Sequence, residues 1–364
     1  EGVGLVSLPL GREPTVSAVV LTLDRAREDD RVQGLVAWLD EGSHGLAVTQ
    51  ELREAVQRFR ASGRFTFAYA DTFGELTSGN QGYYLATGFE RVWLQPIGLV
   101  GLPGLSLEVP FLEGLLGKLG VEFVTGKRAE YKSALDSLTE PGLTPANREQ
   151  LDAILDDAMS QLVGGLEEGR GIPRERARQL LTGGPYTSEE ALAAGLVDRV
   201  AHKDELVASA REQAGGAEVV RLVDYRDSVD LEPTQPVARV ALVHAVGPIQ
   251  RGEDGFGARI AGDDLAETLA EAIDDDRIRA ILLRVDSPGG SAVASETIAR
   301  QVRRAVAAGK PVVVSMGNYA ASGGYWIAMG ASRIVAQPAT LTGSIGVIAG
   351  KPVLEVWKAK TSIV

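Results

Sequence analysis

The chain has 364 residues, of which 45% are hydrophobic and 24% charged, and 49 acidic side chains outnumber 37 basic ones to give a net charge of −12. A length of this order accommodates two domains with separate cores, the apolar content excludes general disorder, and the acidity excludes a nucleic-acid phosphate backbone as ligand. Lacking cysteine, the chain has no disulfide, thiol nucleophile or thiolate metal site, and His44, His202 and His244 are too few for a histidine-rich metal centre.

No apolar run reaches the roughly 18 residues of a membrane span, and no secretory signal pattern opens the chain. An opening at Glu1 rather than at a methionine suggests an ectodomain whose membrane anchor lies in a segment absent from this chain. In chain order, residues 121–125 are a predicted strand, followed by Tyr131-Lys132-Ser133-Ala134-Leu135. Thr144 caps a helix that Pro145 begins, with Leu151, Ile154, Leu155, Ala158 and Leu162 as its expected buried stripe. Gly215-Gly216 and the stretch from Pro233 to Pro236 mark the join between domains. Beyond it, residues 240–243, 281–285 and 312–316 are predicted strands, and residues 263–273 and 295–308 carry helix-spaced apolar positions. Strands alternating with helices predict βαβ units on a parallel sheet, hence an α/β fold.

The chain repeats itself. Asp29-Asp30-Arg31-Val32-Gln33-Gly34-Leu35-Val36 matches Asp275-Asp276-Arg277-Ile278-Arg279-Ala280-Ile281-Leu282 at an offset of 246, from Asp30 to Asp276. Gly82-Tyr83-Tyr84-Leu85-Ala86 and Arg91-Val92-Trp93-Leu94-Gln95-Pro96 match Gly324-Tyr325-Trp326-Ile327-Ala328 and Arg333-Ile334-Val335-Ala336-Gln337-Pro338 at an offset of 242, from Gly82 to Gly324. The smaller offset places four extra residues in the first copy, in a loop around Phe73 to Asn80. We therefore expect two tandem domains, a first copy over 1–236 and a second over 237–364 that stops short of the first copy's length.

Three segments carry candidate chemistry. Ser322, in Tyr319-Ala320-Ala321-Ser322-Gly323-Gly324-Tyr325, sits between a predicted strand and an apolar helical run. A serine at such a turn presents its hydroxyl outward beside backbone amides, although Ser-Gly-Gly alone also describes an ordinary tight turn. Asp286-Ser287-Pro288-Gly289-Gly290-Ser291 ends another strand, where glycines can turn N–H groups toward a ligand or simply supply positive φ. Both loops lie at carboxyl ends of parallel strands, the side on which open α/β sheets bind ligands. For a base, His244 has an apolar strand pattern that suggests a packed core residue, His44 lies in a turn and His202 follows a strand end. A lysine serves instead if burial lowers its pKa, and Lys132 has small and apolar neighbours.

Ser287-Pro288-Gly289-Gly290-Ser291, Tyr319-Ala320-Ala321-Ser322-Gly323-Gly324-Tyr325-Trp326 and Leu341-Thr342-Gly343-Ser344-Ile345-Gly346, together with Tyr131-Lys132-Ser133-Ala134, resemble the long, duplicated form of signal peptide peptidase A. The resemblance runs over nearly the whole chain. It implies two tandem Clp protease/crotonase-like domains and a Ser/Lys dyad whose lysine comes from the first copy and whose serine comes from the second. Carried over to this sequence, Ser322 is the nucleophile, Lys132 the general base, Ser344 the residue that orients the lysine, and Gly323 and Gly289 the oxyanion donors. It further implies cleaved signal peptides and other hydrophobic, membrane-proximal peptides as substrates, a membrane-anchored homotetramer on the extracytoplasmic side of the cell envelope, and no cofactor. By offset, Asn80 takes the place of Ser322 and Leu102 that of Ser344, so the first copy lacks the nucleophile apparatus. Two other readings fit the same fold: a crotonase-type acyl-CoA enzyme, and a non-catalytic scaffold.

Overall fold

The computed structural model describes residues 15–42, 44–75, 77–229, 238–253 and 259–354. Residues 15–103 form α1 (Val16–Ala26), β1 (Gly34–Trp38), α2 (Leu46–Arg60), β2 (Phe65–Ala70), α3 (Asn80–Ala86), β3 (Arg91–Leu94) and β4 (Leu99–Val100). Next come α4 (Glu113–Lys118), β5 (Val121–Lys127), α5 (Asp136–Thr139) and the long α6 (Pro145–Arg170). They are followed by α7 (Arg174–Gly183), β6 (Tyr186–Thr187), α8 (Ser188–Ala193), β7 (Arg199–Val200), α9 (Lys203–Gln213) and α10 (Leu222–Ser228). The chain then runs through β8 (Arg239–Val246), β9 (Ile249–Gln250), β10 (Ile260–Ala261), α11 (Gly262–Asp274), β11 (Ile278–Ser287), α12 (Ala292–Ala307), β12 (Val312–Ala321), α13 (Gly323–Ala328), β13 (Arg333–Val335), β14 (Leu341–Gly343) and β15 (Ile348–Leu354). No helix among the described residues is long and apolar enough to cross a membrane.

The chain divides into two compact units, each discontinuous in sequence: Glu1–Pro103 with Gly164–Gln235, and Gly104–Val163 with Pro236–Val364. This differs from the expected division at 236/237, because residues 104–163 of the first copy pack with the second. The cause is strand pairing: β5 and β15 form an antiparallel ribbon from Val121↔Leu354 to Lys127↔Ile348. The expected join from Pro233 to Pro236 lies outside the described residues.

In the first unit, β1, β2, β3 and β7 form a parallel sheet in that order. Every residue of β2 is buried, as a central strand covered on both faces requires. Phe67 and Trp93 stack at 6.2 Å in its core. Burying aromatic side chains of this size contributes on the order of 1.5–3 kcal/mol each. The β1 edge borders an apolar cavity of about 700 Å³ bounded by α1, α2 and α10.

In the second unit, β13, β12, β11 and β8 form a parallel sheet, and β14 extends β12. Leu269 of α11, Ile298 and Val302 of α12 and Ile327 of α13 pack on Leu283, Val285, Val312 and Val314 of the sheet. The expected helices and strands of this half are thus all present. Two expectations fail. His244 is exposed, because β8 lies at the sheet edge and buries Val243 and Ala245 while its alternate residues face outward. In α6, Leu162 is buried but Ile154 is 41% exposed; burial shifts to Val163 and Leu166 near the carboxyl end. The Thr144 cap is as expected, its Oγ1 accepting the Asn147 N–H at 3.2 Å.

The duplication is visible in the element starts. α1 and α11 begin at Val16 and Gly262, and α2 and α12 at Leu46 and Ala292, both 246 apart. β3 and β13 begin at Arg91 and Arg333, 242 apart, so the difference arises between β2 and α3.

Candidate active site

All five candidate residues lie in the second unit, and none lines the 700 Å³ cavity of the first. Strand β12 ends at Ala321, and Ser322 occupies the N-cap of α13 with φ 54° and ψ −115°. A non-glycine residue at positive φ carries roughly 1–3 kcal/mol of strain and persists only where its surroundings hold it. Here the Ser322 N–H donates to the Gly343 carbonyl at 2.9 Å, and the Trp326 N–H donates to the Ser322 carbonyl at 2.9 Å.

Glycines let the loops close on this serine. A Cβ on Gly289, whose φ is 98°, would lie 2.6 Å from Gly323 N and 2.8 Å from Ser322 Cβ. A Cβ on Gly323 would lie 2.5 Å from Ser295 Oγ. The turns after β11 and β12 are therefore in direct contact, and only hydrogen fits between them. The Gly323 N–H belongs to the first turn of α13, where no intrahelical partner exists. The Gly289 N–H donates to Ser287 Oγ at 3.1 Å.

Lys132 lies between β5 and α5 and is only 6% exposed. Its Nζ donates to Ser344 Oγ at 2.9 Å and, in a short contact, to the Ser344 carbonyl. Burial pulls its pKa below the ordinary lysine value, because taking an ammonium out of water disfavours the charged form. Ser344 itself has φ 47° and follows Gly343 at φ 84°. One turn thus holds both groups: Gly343 accepts from the Ser322 backbone, and Ser344 accepts from Lys132.

Sequence reasoning missed what fixes the lysine loop. Lys127 at the end of β5 pairs with Asp136 at the start of α5, whose side chain is buried, and so ties both ends of residues 128–135 together. The Arg128 N–H donates to the Val347 carbonyl at 3.1 Å, extending the β5–β15 ribbon to the turn that carries Ser344. A Lys–Asp spacing across a short loop is the only signal the sequence offers for this clasp.

The first unit contains the degenerate counterpart. There the Gly79 N–H donates to the Gly101 carbonyl at 2.9 Å, the same backbone bond that Ser322 makes to Gly343. Gly79, the N-cap of α3, is therefore the positional equivalent of Ser322, one residue before the expected Asn80. Leu102, next to Gly101, stands where Ser344 does and is fully buried. His202 is the N-cap of α9, its N–H donating to Glu205.

The sequence model of peptidase family S49 matches residues 67–216 and 304–364. The chain is 31% identical to the chloroplastic serine protease SPPA of Arabidopsis thaliana over 90% of its own length and 49% of the relative's. It is 34% identical to protease 4 of Salmonella typhi, covering 92% of this chain and 55% of the other, and 32% identical to protease 4 of Haemophilus influenzae, covering 93% and 56%. The chain thus spans about half the length of these curated relatives. On the family match and the α/β architecture with parallel sheets, of the Clp protease/crotonase type, the chain belongs to peptidase family S49.

Proposed function

We propose that this chain is a serine peptidase in which Ser322 attacks the scissile carbonyl and Lys132 is the general base. The observation that supports it is the surroundings of Lys132 Nζ, a buried amine whose two acceptors, Ser344 Oγ and the Ser344 carbonyl, are both uncharged. A neutral amine has two N–H bonds, which Ser344 takes, and one lone pair, which is left to accept the Ser322 proton. Ser344 is then the group that orients the base.

In the proposed reaction, the Ser322 hydroxyl proton passes to Lys132 as Oγ bonds to the carbonyl carbon. The N–H groups of Gly323 and Gly289 stabilise the developing oxyanion, with Gly289 sharing its donor with Ser287 Oγ. Lys132 returns the proton to the leaving amine as the C–N bond breaks, and water then hydrolyses the acyl ester. The substrates that accord with the sequence motifs are cleaved signal peptides and other hydrophobic, membrane-proximal peptides. The same motifs support a membrane-anchored homotetramer acting on the extracytoplasmic side of the cell envelope.

The test is labelling of folded protein with a fluorophosphonate, followed by peptide mapping. Label on Ser322, lost in Ser322→Ala together with at least about a 10⁴-fold fall in peptide hydrolysis, is the expected result. Folded protein that takes no label, or hydrolysis that survives Ser322→Ala, refutes the assignment.

A further inference from the structure

Strands β11 and β12 pair in register to Val285↔Met316 and resume at Ser287↔Ala320. Gly317, Asn318 and Tyr319 thus stand opposite the single residue Asp286, a bulge just before Ser322. A bulge takes amides out of the ladder, and each needs another acceptor.

The Asp286 carboxylate supplies it. Oδ2 accepts the Asn318 N–H at 3.2 Å and the Asn318 Nδ2 donor at 3.3 Å, and Oδ1 accepts the Tyr319 N–H at 3.0 Å. A Cβ on Gly317 would sit 2.6 Å from Oδ2, so the close approach of this carboxylate requires glycine there. The backbone of Asp286 leads directly into Ser287, Pro288 and Gly289, while Tyr319 lies three residues before Ser322. One side chain therefore couples the loop of the proposed oxyanion donor to the strand end that carries the proposed nucleophile.

The first copy provides an internal control. Asp40 occupies the position equivalent to Asp286 at the offset of 246. Its Oδ1 accepts the Gly42 N–H at 3.0 Å within its own loop, and the pairing of β1 with β2, from Gly34↔Phe65 to Trp38↔Tyr69, ends before Asp40. Among the described residues, the aspartate at this position bonds to amides of the neighbouring strand in the copy that has a serine at the helix cap, and to an amide of its own loop in the other.

We propose that Asp286 is a positioning residue that acts through the bulge of β12 to aim the Ser322 hydroxyl and to hold Gly289 against it. This rests on the reading of Ser322 as nucleophile. It is tested on the full chain with Asp286→Asn, which keeps the shape but turns one acceptor into a donor facing an amide, and with Asp286→Ala. Fluorophosphonate labelling per folded molecule, kcat and KM for a hydrophobic peptide, and hydrogen exchange of the Tyr319 amide are measured. Asp286→Asn is expected to lower labelling and kcat by roughly 10- to 100-fold, to leave KM within about twofold, and to speed exchange at Tyr319. Asp40→Asn is expected to change none of these. Wild-type labelling per folded molecule in both Asp286 variants overturns the proposal while leaving Ser322 as nucleophile. So does a loss that only tracks the fraction unfolded, or a loss matched by Asp40→Asn. Absence of label on Ser322 in the wild-type protein removes the nucleophile reading itself.

Discussion

The two copies share one strand-entry turn to within a tenth of an ångström and differ at the helix cap where the second places Ser322. In the first, Asp29 accepts from Arg31 at 3.0 Å through the backbone and at 2.9, 3.2 and 2.7 Å through the guanidinium. In the second, Asp275 accepts from Arg277 at 2.9 Å and at 3.0, 3.2 and 2.7 Å. At the α3 and α13 caps, however, one copy has Gly79 at φ −77° and the other Ser322 at φ 54°. The turn that shapes the strand junction repeats because the fold depends on it in both copies. The cap diverges because only one copy has a hydroxyl to present.

The largest expected effect strikes the copy that has the hydroxyl. Lys132→Met should abolish Ser322 labelling, with a loss of about 10⁴-fold or more, while raising thermal stability at neutral pH. The sign follows from linkage. The folded-state pKa of Lys132 lies below its unfolded value, so the penalty for burying the ammonium is full below the folded value and fades as pH rises toward the unfolded one. The gain in melting temperature for Lys132→Met should therefore shrink as pH rises through that window, and the wild-type labelling rate should climb as the amine loses its proton. A flat difference in melting temperature from neutral to alkaline pH would show that the amine is not desolvated in solution.

Next in size is Ser344→Ala, which removes the 2.9 Å acceptor but leaves the Ser344 carbonyl. A fall of roughly 10- to 100-fold in kcat with KM nearly unchanged is expected from steady-state kinetics. The first copy should respond only in stability. A Cβ on Gly79 would meet the Phe73 carbonyl oxygen at 2.1 Å, so Gly79→Ala should cost on the order of 1–3 kcal/mol in denaturant unfolding and leave labelling per folded molecule unchanged. The same clash leaves no room for a serine Cβ at the first copy's cap, where the Phe73 and Gly101 carbonyl oxygens fill the space. The smallest effect is expected for Asp275→Asn. The Arg277 guanidinium holds the Asp275 carboxyl down at about 2, and its contribution to stability is lost only as pH falls through that value. The variant should melt slightly below wild type at neutral pH, and the gap should close as pH falls into strong acid.

The parts of the molecule legible in the sequence are those that depend on local pattern. Apolar runs announce β11 and β12, helix-spaced apolar residues announce α11 and α12, and the motifs around Ser322, Ser344 and Lys132 point to the proposed site. Pairings between distant segments were not legible. β15 contains Gly350, Lys351 and Pro352, poor strand formers that take up extended structure because β5 offers a ladder. Asp286 reads as one more turn residue before Ser-Pro-Gly-Gly, since a bulge three residues wide in the neighbouring strand leaves no mark in the sequence of β11. His244 misleads for a related reason: its apolar neighbours suggest a core, but alternation on an edge strand turns it outward.

The β5–β15 ribbon has a temporal side. Lys132 and the serine that holds it are 212 residues apart, and translation at about 5–20 residues per second separates their emergence by roughly 10–40 seconds. Throughout that interval Lys132 lacks the serine that holds it in the folded chain, so the proposed base is not yet in place. The proposed pair can therefore be completed only once β15 and the turn before it have been laid down beside β5.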